Sequence, residues 1–142
     1  MSAPATCACT ALRKTSRAVS RLYDEALDAS GITTNQFALL RTLRRAGPLP
    51  LSRLAGMLVM ERTSLYRMLT PLEARQLVAV KAGSGRARVA AITAAGDALL
   101  DESDAVWSAT QTRFVAALGE EKWQALQALL AEATAASARA GA

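Results

Sequence analysis

The chain has 142 residues, 51% of them hydrophobic and 4% aromatic, and a formal net charge of +5. This length suits one domain or two small interwoven lobes, and the abundance of alanine and leucine favours helices over a β-sandwich. The sequence has no histidine, and its two cysteines, Cys7 and Cys9, lie one residue apart. Such a pair neither staples a fold nor completes a metal site, so we expect no metal and no cofactor. Without a readable general base, nucleophile or metal cluster, an enzyme is the least expected class.

The compartment can be predicted from what the sequence lacks. No apolar stretch is long enough to cross a bilayer. The first residues, MSAPATCACTALRK, lack the basic-then-apolar order of a signal peptide. We therefore expect a cytoplasmic protein.

Helical periodicity predicts a first helix over about residues 5–29, ended by Gly31. Thr33 or Thr34 is placed to cap a second helix, which stops at Gly47-Pro48. Ser52 is placed to cap or begin a short third helix.

A fourth helix is predicted over residues 61–75, and it includes the stretch MERTSLYRML. Glu61 near its start suits the positive end of the helix dipole. Pro71 removes one backbone hydrogen bond, but Leu72 remains on the apolar stripe. We therefore expect Pro71 to bend this helix rather than end it.

The periodicity changes over residues 77–93, where two β-prone runs flank Gly83-Ser84-Gly85 and predict a hairpin. Thr93 can cap a long helix over about 94–118, and Gly119 interrupts it. A last helix is predicted over about 120–135, with a tail after Ala135 that is small and polar enough to fray.

The positive charge is concentrated in the middle of the chain. Residues 32–93 contain ten basic and two acidic residues, a net charge of +8, whereas residues 1–31 carry +1 and residues 94–142 carry −4. A block of this kind attracts a polyanion, and nucleic acid is the leading candidate. The alternative is a solvated basic surface that has no partner.

The fourth helix divides into two faces. Its apolar residues cluster on one side, while Thr63, Arg67 and Thr70 lie opposite and Tyr66 lies on the flank. Helix, short helix, polar-faced helix and basic hairpin follow in the order of a winged helix-turn-helix, so we predict a mainly α fold with a small β-hairpin wing. One face would then pack on the domain and the other would enter a major groove of DNA. The predicted DNA-contacting residues are Ser52, Arg53, Arg62, Thr63, Ser64, Tyr66, Arg67, Thr70, Lys81, Arg86 and Arg88. The alternative is an ordinary amphipathic helix on which Arg67 is solvated.

The outer helices predict a dimer. Their apolar faces, over 5–29, 94–118 and 120–135, exceed what a compact DNA-binding unit can cover, and burial favours packing against a second chain. We predict one composite dimerisation lobe, residues 5–32 and 94–139, and a winged helix-turn-helix domain, residues 33–93. The alternative is a monomer that folds its own ends together.

Four segments carry a resemblance to a known family: LRKTSRAVSRLYDEALDASGITTNQFALL, SRLAGML, MERTSLYRMLTPLEARQLV and RARVAAITAAG. Together they resemble the MarR family of bacterial transcriptional regulators over nearly the whole chain. The resemblance implies an obligate homodimer on a pseudo-palindromic operator in double-stranded DNA, usually acting as a repressor. It also implies an effector-responsive pocket between the dimerisation helices and the winged domain.

Two positions depart from the family pattern. Ser84 stands where the wing usually carries an acidic residue two positions before its arginine, here Arg86, so the usual wing ion pair is not implied. The turn MLVM between the third and fourth helices lacks the common glycine.

The family suggests two kinds of effector. Its organic-hydroperoxide sensors carry a reactive cysteine near the start of the first helix, which Cys9 resembles; oxidation to a sulfenate and then a disulfide would shift the dimer off its operator. Tyr23 fits the spacing of one tyrosine that contacts this cysteine, but Arg13 replaces the other. The commoner effector in the family is a small aromatic or phenolic ligand, whose pocket Tyr23, Phe37 and Trp107 would line. Alternatively, the cysteines are small apolar fillers and the aromatic residues belong to the core.

Two further functions remain open on the sequence alone. A non-specific architectural DNA-binding protein would share the basic segment without any sequence preference. A helical protein-interaction module would use that segment to bind an acidic partner protein and would have no DNA activity.

Overall fold

Six α-helices and one small antiparallel sheet make up residues 6–141, the part of the chain that the computed structural model describes. The helices are α1 (Ala8–Leu27), α2 (Thr34–Ala46), α3 (Leu51–Met57), α4 (Arg62–Ala74), α5 (Ala94–Leu118) and α6 (Glu120–Ala140). A single 3-10 turn, Asp28–Ser30, follows α1. The strands are β1 (Leu49–Pro50), β2 (Val78–Ala82) and β3 (Arg88–Ile92), in the order β1-β3-β2. These elements confirm the predicted fold class, a mainly α winged helix.

The start of α2 is fixed by a capping box. The Thr33 hydroxyl accepts from the Gln36 amide at 3.2 Å, and the Gln36 side chain accepts from the Thr33 amide at 3.0 Å. Asp24 on α1 accepts from the next free amide, that of Thr34, at 2.6 Å. Of the two threonines proposed from the sequence, Thr33 is therefore the one that caps α2. The predicted end of the helix at Gly47 is confirmed.

The structure differs from the sequence prediction at three places. Helix α3 begins at Leu51 after Pro50, so Ser52 lies in its first turn and does not cap it. Strand β1 pairs Leu49 with Ala90 and was not predicted, because two residues show no periodicity of their own. Helix α6 continues to Ala140, so the predicted end near Ala135 is wrong.

A leucine-rich core holds α2, α3 and α4 together. Leu40, Leu54 and Leu65 are completely buried, and Leu72 is too. The burial of Leu72 confirms that α4 continues through Pro71 with its apolar stripe intact.

The wing is a regular hairpin. Strand β2 pairs with β3 from Val78 opposite Ile92 to Ala82 opposite Arg88. The Gly83 amide donates to the Ala87 carbonyl at 2.8 Å and closes the turn, in which Gly85 has a φ of 62°. This confirms the hairpin predicted around Gly83-Ser84-Gly85.

Thr93 joins the wing to α5. Its hydroxyl accepts from the Gly96 amide at 3.1 Å, as a helix cap does, and donates to the Gln76 carbonyl at 2.6 Å. Its own amide donates to the Leu77 carbonyl at 3.1 Å. The predicted cap is confirmed, and the same side chain also holds the segment that follows α4.

The chain forms two compact units, one ending at Trp107 and the other beginning at Ser108. In the second unit the rings of Phe114 and Trp123 meet edge to face with centroids 5.9 Å apart. The sequence-based division was made by function: a dimerisation lobe, residues 5–32 with 94–139, and a DNA-binding domain, residues 33–93. It therefore stays a prediction beside these two compact units. Residue 5 lies outside the described residues. Over residues 6–141 we find no helix that combines the length and apolarity needed to span a membrane.

Val59, in the turn between α3 and α4, has a φ of 52° and is 75% exposed. A β-branched residue is strained in this left-handed conformation, which glycine adopts freely. We expect Val59→Gly to raise the free energy of unfolding by about 1 kcal/mol, because the side chain buries little surface that could be lost. Thermal melts at one fixed protein concentration measure the change.

Gln76→Gly is the matched control, since Gln76 has a φ of 57° but no β-branch. We expect a smaller gain in melting temperature there. A lower melting temperature for Val59→Gly would show that the turn is not strained.

Candidate nucleic-acid interface

Helix α4 has the two faces predicted from its sequence. Leu65, Leu69 and Leu72 are buried, and Met68 packs partly buried against the same core. Thr63, Arg67 and Thr70 are exposed on the other side, with Tyr66 41% exposed. The helix therefore presents a polar surface that its own domain leaves uncovered.

The residues predicted to contact DNA are all exposed. They lie on α3 (Ser52 and Arg53), on α4 (Arg62, Thr63, Ser64, Tyr66, Arg67 and Thr70) and on the wing (Lys81, Arg86 and Arg88). Within residues 6–141 the one ion pair joins Arg44 to Asp101 at 2.7 Å, so no carboxylate neutralises a cation of this set. The set leaves a concentration of positive charge available to a polyanion.

Thr70 has a restricted hydrogen-bonding role. Its hydroxyl donates to the Tyr66 carbonyl one turn earlier, at 2.9 Å. The hydroxyl hydrogen is thus used within the helix, and only the oxygen lone pairs and the methyl group remain available. Thr70 can accept from a base amino group or meet a thymine methyl, but it is a poor partner for a phosphate.

The wing carries its cations at and near its tip. Arg86 lies in the turn and Arg88 is the first residue of β3. Lys81, on β2, pairs with Val89 on β3. The long side chains of these three residues extend from a narrow hairpin, which is the shape that a wing needs to reach a DNA backbone or minor groove.

The three predicted effector-pocket residues do come together. The Trp107 ring centroid lies 6.4 Å from that of Tyr23 and 5.7 Å from that of Phe37, on which it stacks. Sequence reasoning missed Arg41, whose guanidinium carbon lies 4.2 Å from the Trp107 centroid and 5.6 Å from the Phe37 centroid. Its place four residues after Phe37 on one helix face was the available signal. Burial raises the pKa of the Tyr23 phenol, so the phenol stays neutral.

Both cysteines are exposed at the start of α1. Favourable interactions with the Thr10 amide and hydroxyl, and with the Cys9 amide, lower the pKa of the Cys7 thiol, which directly precedes the helix. Arg13 is exposed as well, and Tyr23 lies about 21 Å from Cys9 along the helix axis. A single chain therefore does not bring Cys9 and Tyr23 together, and only the Tyr23 of a second chain could contact Cys9.

Known proteins resemble this chain over nearly its whole length. The sequence model of the MarR family matches residues 32–89. The M. tuberculosis transcriptional regulator MosR, solved in complex with DNA, is 32% identical, with a TM-score of 0.85 over 94% of this chain and 98% of MosR. The chain belongs to the MarR family. As a MarR-family protein it is a DNA-binding transcriptional regulator with a winged-helix fold, and the matched residues 32–89 lie within the segment of net charge +8.

Two other MarR-like structures extend the comparison. NadR in complex with 4-hydroxyphenylacetate is 28% identical, with a TM-score of 0.74 over 93% of this chain and 95% of NadR. E. coli MarR with operator DNA is 21% identical and shares the fold, with a TM-score of 0.78 over 87% of this chain and 91% of that one. No curated protein matches the sequence.

Proposed function

We propose that this MarR-family protein is a homodimeric, sequence-specific repressor that binds a pseudo-palindromic operator and leaves it when an effector binds. The observation that carries the proposal is the set of eleven exposed residues on α3, α4 and the wing, whose cations pair with no carboxylate within residues 6–141. The solved complex of MosR with DNA supports the same role for the equivalent fold.

In this proposal α4 enters the major groove. The Arg67 guanidinium would bind a guanine edge with two hydrogen bonds, and Thr63 and Thr70 would flank it. Arg86 and Arg88 on the wing would bind the backbone or the adjacent minor groove.

A second chain is needed because one recognition helix reads too few base pairs for specificity. Large apolar side chains remain uncovered on the outer helices: Leu12 on α1 is 47% exposed, and Leu129 and Leu130 on α6 are 61% and 40% exposed. Burying them against a twin chain would stabilise the dimer by about 25 cal/mol per Å² of apolar surface.

The effector that the geometry favours is a small aromatic anion. The Trp107 ring is only partly buried and the Arg41 guanidinium carbon lies 4.2 Å from its centroid, so a ring and a cation are offered together to an aromatic carboxylate, whereas Phe37 is buried in the core. The 28% identical NadR was solved with a ligand of this chemistry, 4-hydroxyphenylacetate. An oxidant is the second candidate, and the lowered pKa of Cys7 is the observation that favours it.

The operator can be isolated with the protein itself, by selection from a pool of random duplexes. We expect an enriched two-fold symmetric sequence, a dimer in sedimentation, and an affinity that falls steeply with salt. A salt-dependent affinity with no enriched sequence would support an architectural protein instead. A monomer that retains no DNA would support a protein-interaction module.

Release from the selected operator distinguishes the two effectors. We expect 4-hydroxyphenylacetate to release the parent protein, and Arg41→Gln to need at least about tenfold more of it, because the charge that pairs with the carboxylate is lost. An organic hydroperoxide tests the alternative. Its distal oxygen would transfer to the Cys7 thiolate, leaving a sulfenate and an alcohol.

Cysteine variants identify which thiol responds if the hydroperoxide does release the protein. Cys7→Ser should then block release, and the rate should fall as the pH drops through a pKa below the ordinary 9.0. Blocked release in Cys9→Ser, with Cys7→Ser unaffected, would place the sensor at Cys9.

A further inference from the structure

The end of α4 is tethered to a distant part of the chain by Arg75. One guanidinium nitrogen, Nη1, donates to the Gly31 carbonyl at 2.7 Å, and the other, Nη2, lies 3.3 Å from the Ser30 carbonyl. These carbonyls end the 3-10 turn that follows α1. Gly31 has a φ of 66°, and the guanidinium lies 3.5 Å from where its Cβ would be, an ordinary van der Waals distance.

The same turn is also held to α5. The hydroxyl oxygens of Ser30 and the fully buried Ser103 lie 2.8 Å apart, and the Ser103 hydroxyl lies 2.7 Å from the Leu99 carbonyl. The residue after Arg75 is bound to the start of α5, because the Thr93 hydroxyl donates to the Gln76 carbonyl. The C-terminal end of α4 is thus linked to α5 in two ways. Gln76 is bound directly by Thr93, and Arg75 is linked through the 3-10 turn to Ser103.

We propose that Arg75 is a positioning residue for operator recognition, one that sets the direction of α4 and does not touch DNA. A planar guanidinium that donates to two adjacent carbonyls fixes an orientation, which a single point charge cannot do. Arg75 lies about 20 Å along the helix axis from Arg62, whereas the N-terminal residues of a recognition helix are the ones that meet base edges.

The length of α4 explains the sensitivity of recognition to this tether. A rotation of about 5° at the Arg75 end would move Arg67, about 12 Å away along the helix axis, by about 1 Å, and Thr63, which is farther away, by more. Hydrogen bonds to base edges need donor–acceptor distances of 2.7–3.2 Å, so such a movement would break them. Attraction between the cations and the phosphates depends weakly on the same displacement, so non-specific binding would persist.

The inference rests on the proposed operator recognition, and Arg75→Lys tests it because the charge is kept while the planar fork is lost. We expect Arg75→Lys to lower affinity for the selected operator by about tenfold, the scale of one lost base contact. Affinity for a scrambled duplex, and the slope of affinity against salt concentration, should remain unchanged. Arg139→Lys at the exposed end of α6 is the matched control.

Several results would overturn the inference. In Arg75→Gln, a salt slope reduced by about 0.9 would mean that Arg75 contacts a phosphate. An unchanged ratio of operator to scrambled affinity in Arg75→Lys, with a lower melting temperature, would mean that the tether only stabilises the fold. If Arg75→Lys does not fold, the same ratio is measured on Arg75→Gln. A parent protein that enriches no operator would remove the proposed function and the inference together, whereas an unchanged ratio removes the inference alone.

Discussion

Replacing Arg67 with alanine is expected to lower affinity for the selected operator by about 5- to 150-fold, the equivalent of roughly 1–3 kcal/mol for one bidentate base contact. Arg67 is exposed near the middle of α4 and pairs with no carboxylate within residues 6–141, so its guanidinium is available to a guanine edge. The loss should be confined to the operator. Affinity for a scrambled duplex should change little. The variant should also bind operators in which one base pair of each half-site is substituted nearly as well as it binds the selected operator.

The wing residue Arg86 gives the contrasting result. We expect Arg86→Ala to weaken all duplexes alike and to reduce the salt slope by about 0.9 for each lost phosphate contact. Arg139→Ala, which removes the same charge from the exposed end of α6, serves both variants as the control. If Arg67→Ala and Arg86→Ala behaved identically, the assignment of base reading to α4 and backbone contact to the wing would be wrong.

Gly96→Ala should produce the largest loss of stability among the glycine-to-alanine substitutions of residues 6–141. Gly96 lies in the first turn of α5, where an added Cβ would overlap the Leu77 carbonyl oxygen and lie 2.7 Å from Ile92 Cγ1. The Leu77 carbonyl cannot yield easily, because it also accepts from the Thr93 amide. We expect the free energy of unfolding to fall by about 1–3 kcal/mol and the melting temperature to fall by several degrees.

Gly56→Ala on α3 is the control, since its added Cβ would meet nothing within 4 Å. There we expect a gain of about 0.4–1 kcal/mol, because alanine loses less backbone freedom on folding than glycine does. Both variants are melted at the same chain concentration, because the stability of a dimer depends on it. A Gly96→Ala protein as stable as the parent would show that the wing can move away from α5.

Local sequence signals predicted most of the fold. Thr33 with Gln36 predicts a helix start, and the spacing of Leu65, Leu69 and Leu72 predicts which face of α4 is buried. Both signals act over three or four residues, so the sequence displays them directly. Strand β1 could not be predicted, because it exists only through its pairing with β3, about 40 residues further along the chain.

In the candidate site, too, the features that depend on nearby residues could be predicted, and those that depend on distant residues could not. Exposure of the polar face of α4 follows from its periodicity, and the charge of the wing follows from its composition. The side chain of Arg75 binds the carbonyls of Gly31 and Ser30, which lie 44 and 45 positions earlier in the chain. Nothing in the sequence next to Arg75 distinguishes it from a solvated arginine. The turn at Val59 also defeats local reasoning, because a left-handed turn is expected to carry glycine.

The wing tip has a kinetic consequence. Arg86 lies in the turn near the neutral Ser84 and pairs with no carboxylate within residues 6–141. An arginine without a counter-charge projects its field into solvent and attracts DNA from a distance, which speeds encounter at low ionic strength. Each non-specific encounter would also last longer at low salt, and the length of duplex scanned by sliding during one encounter would shorten as salt rises.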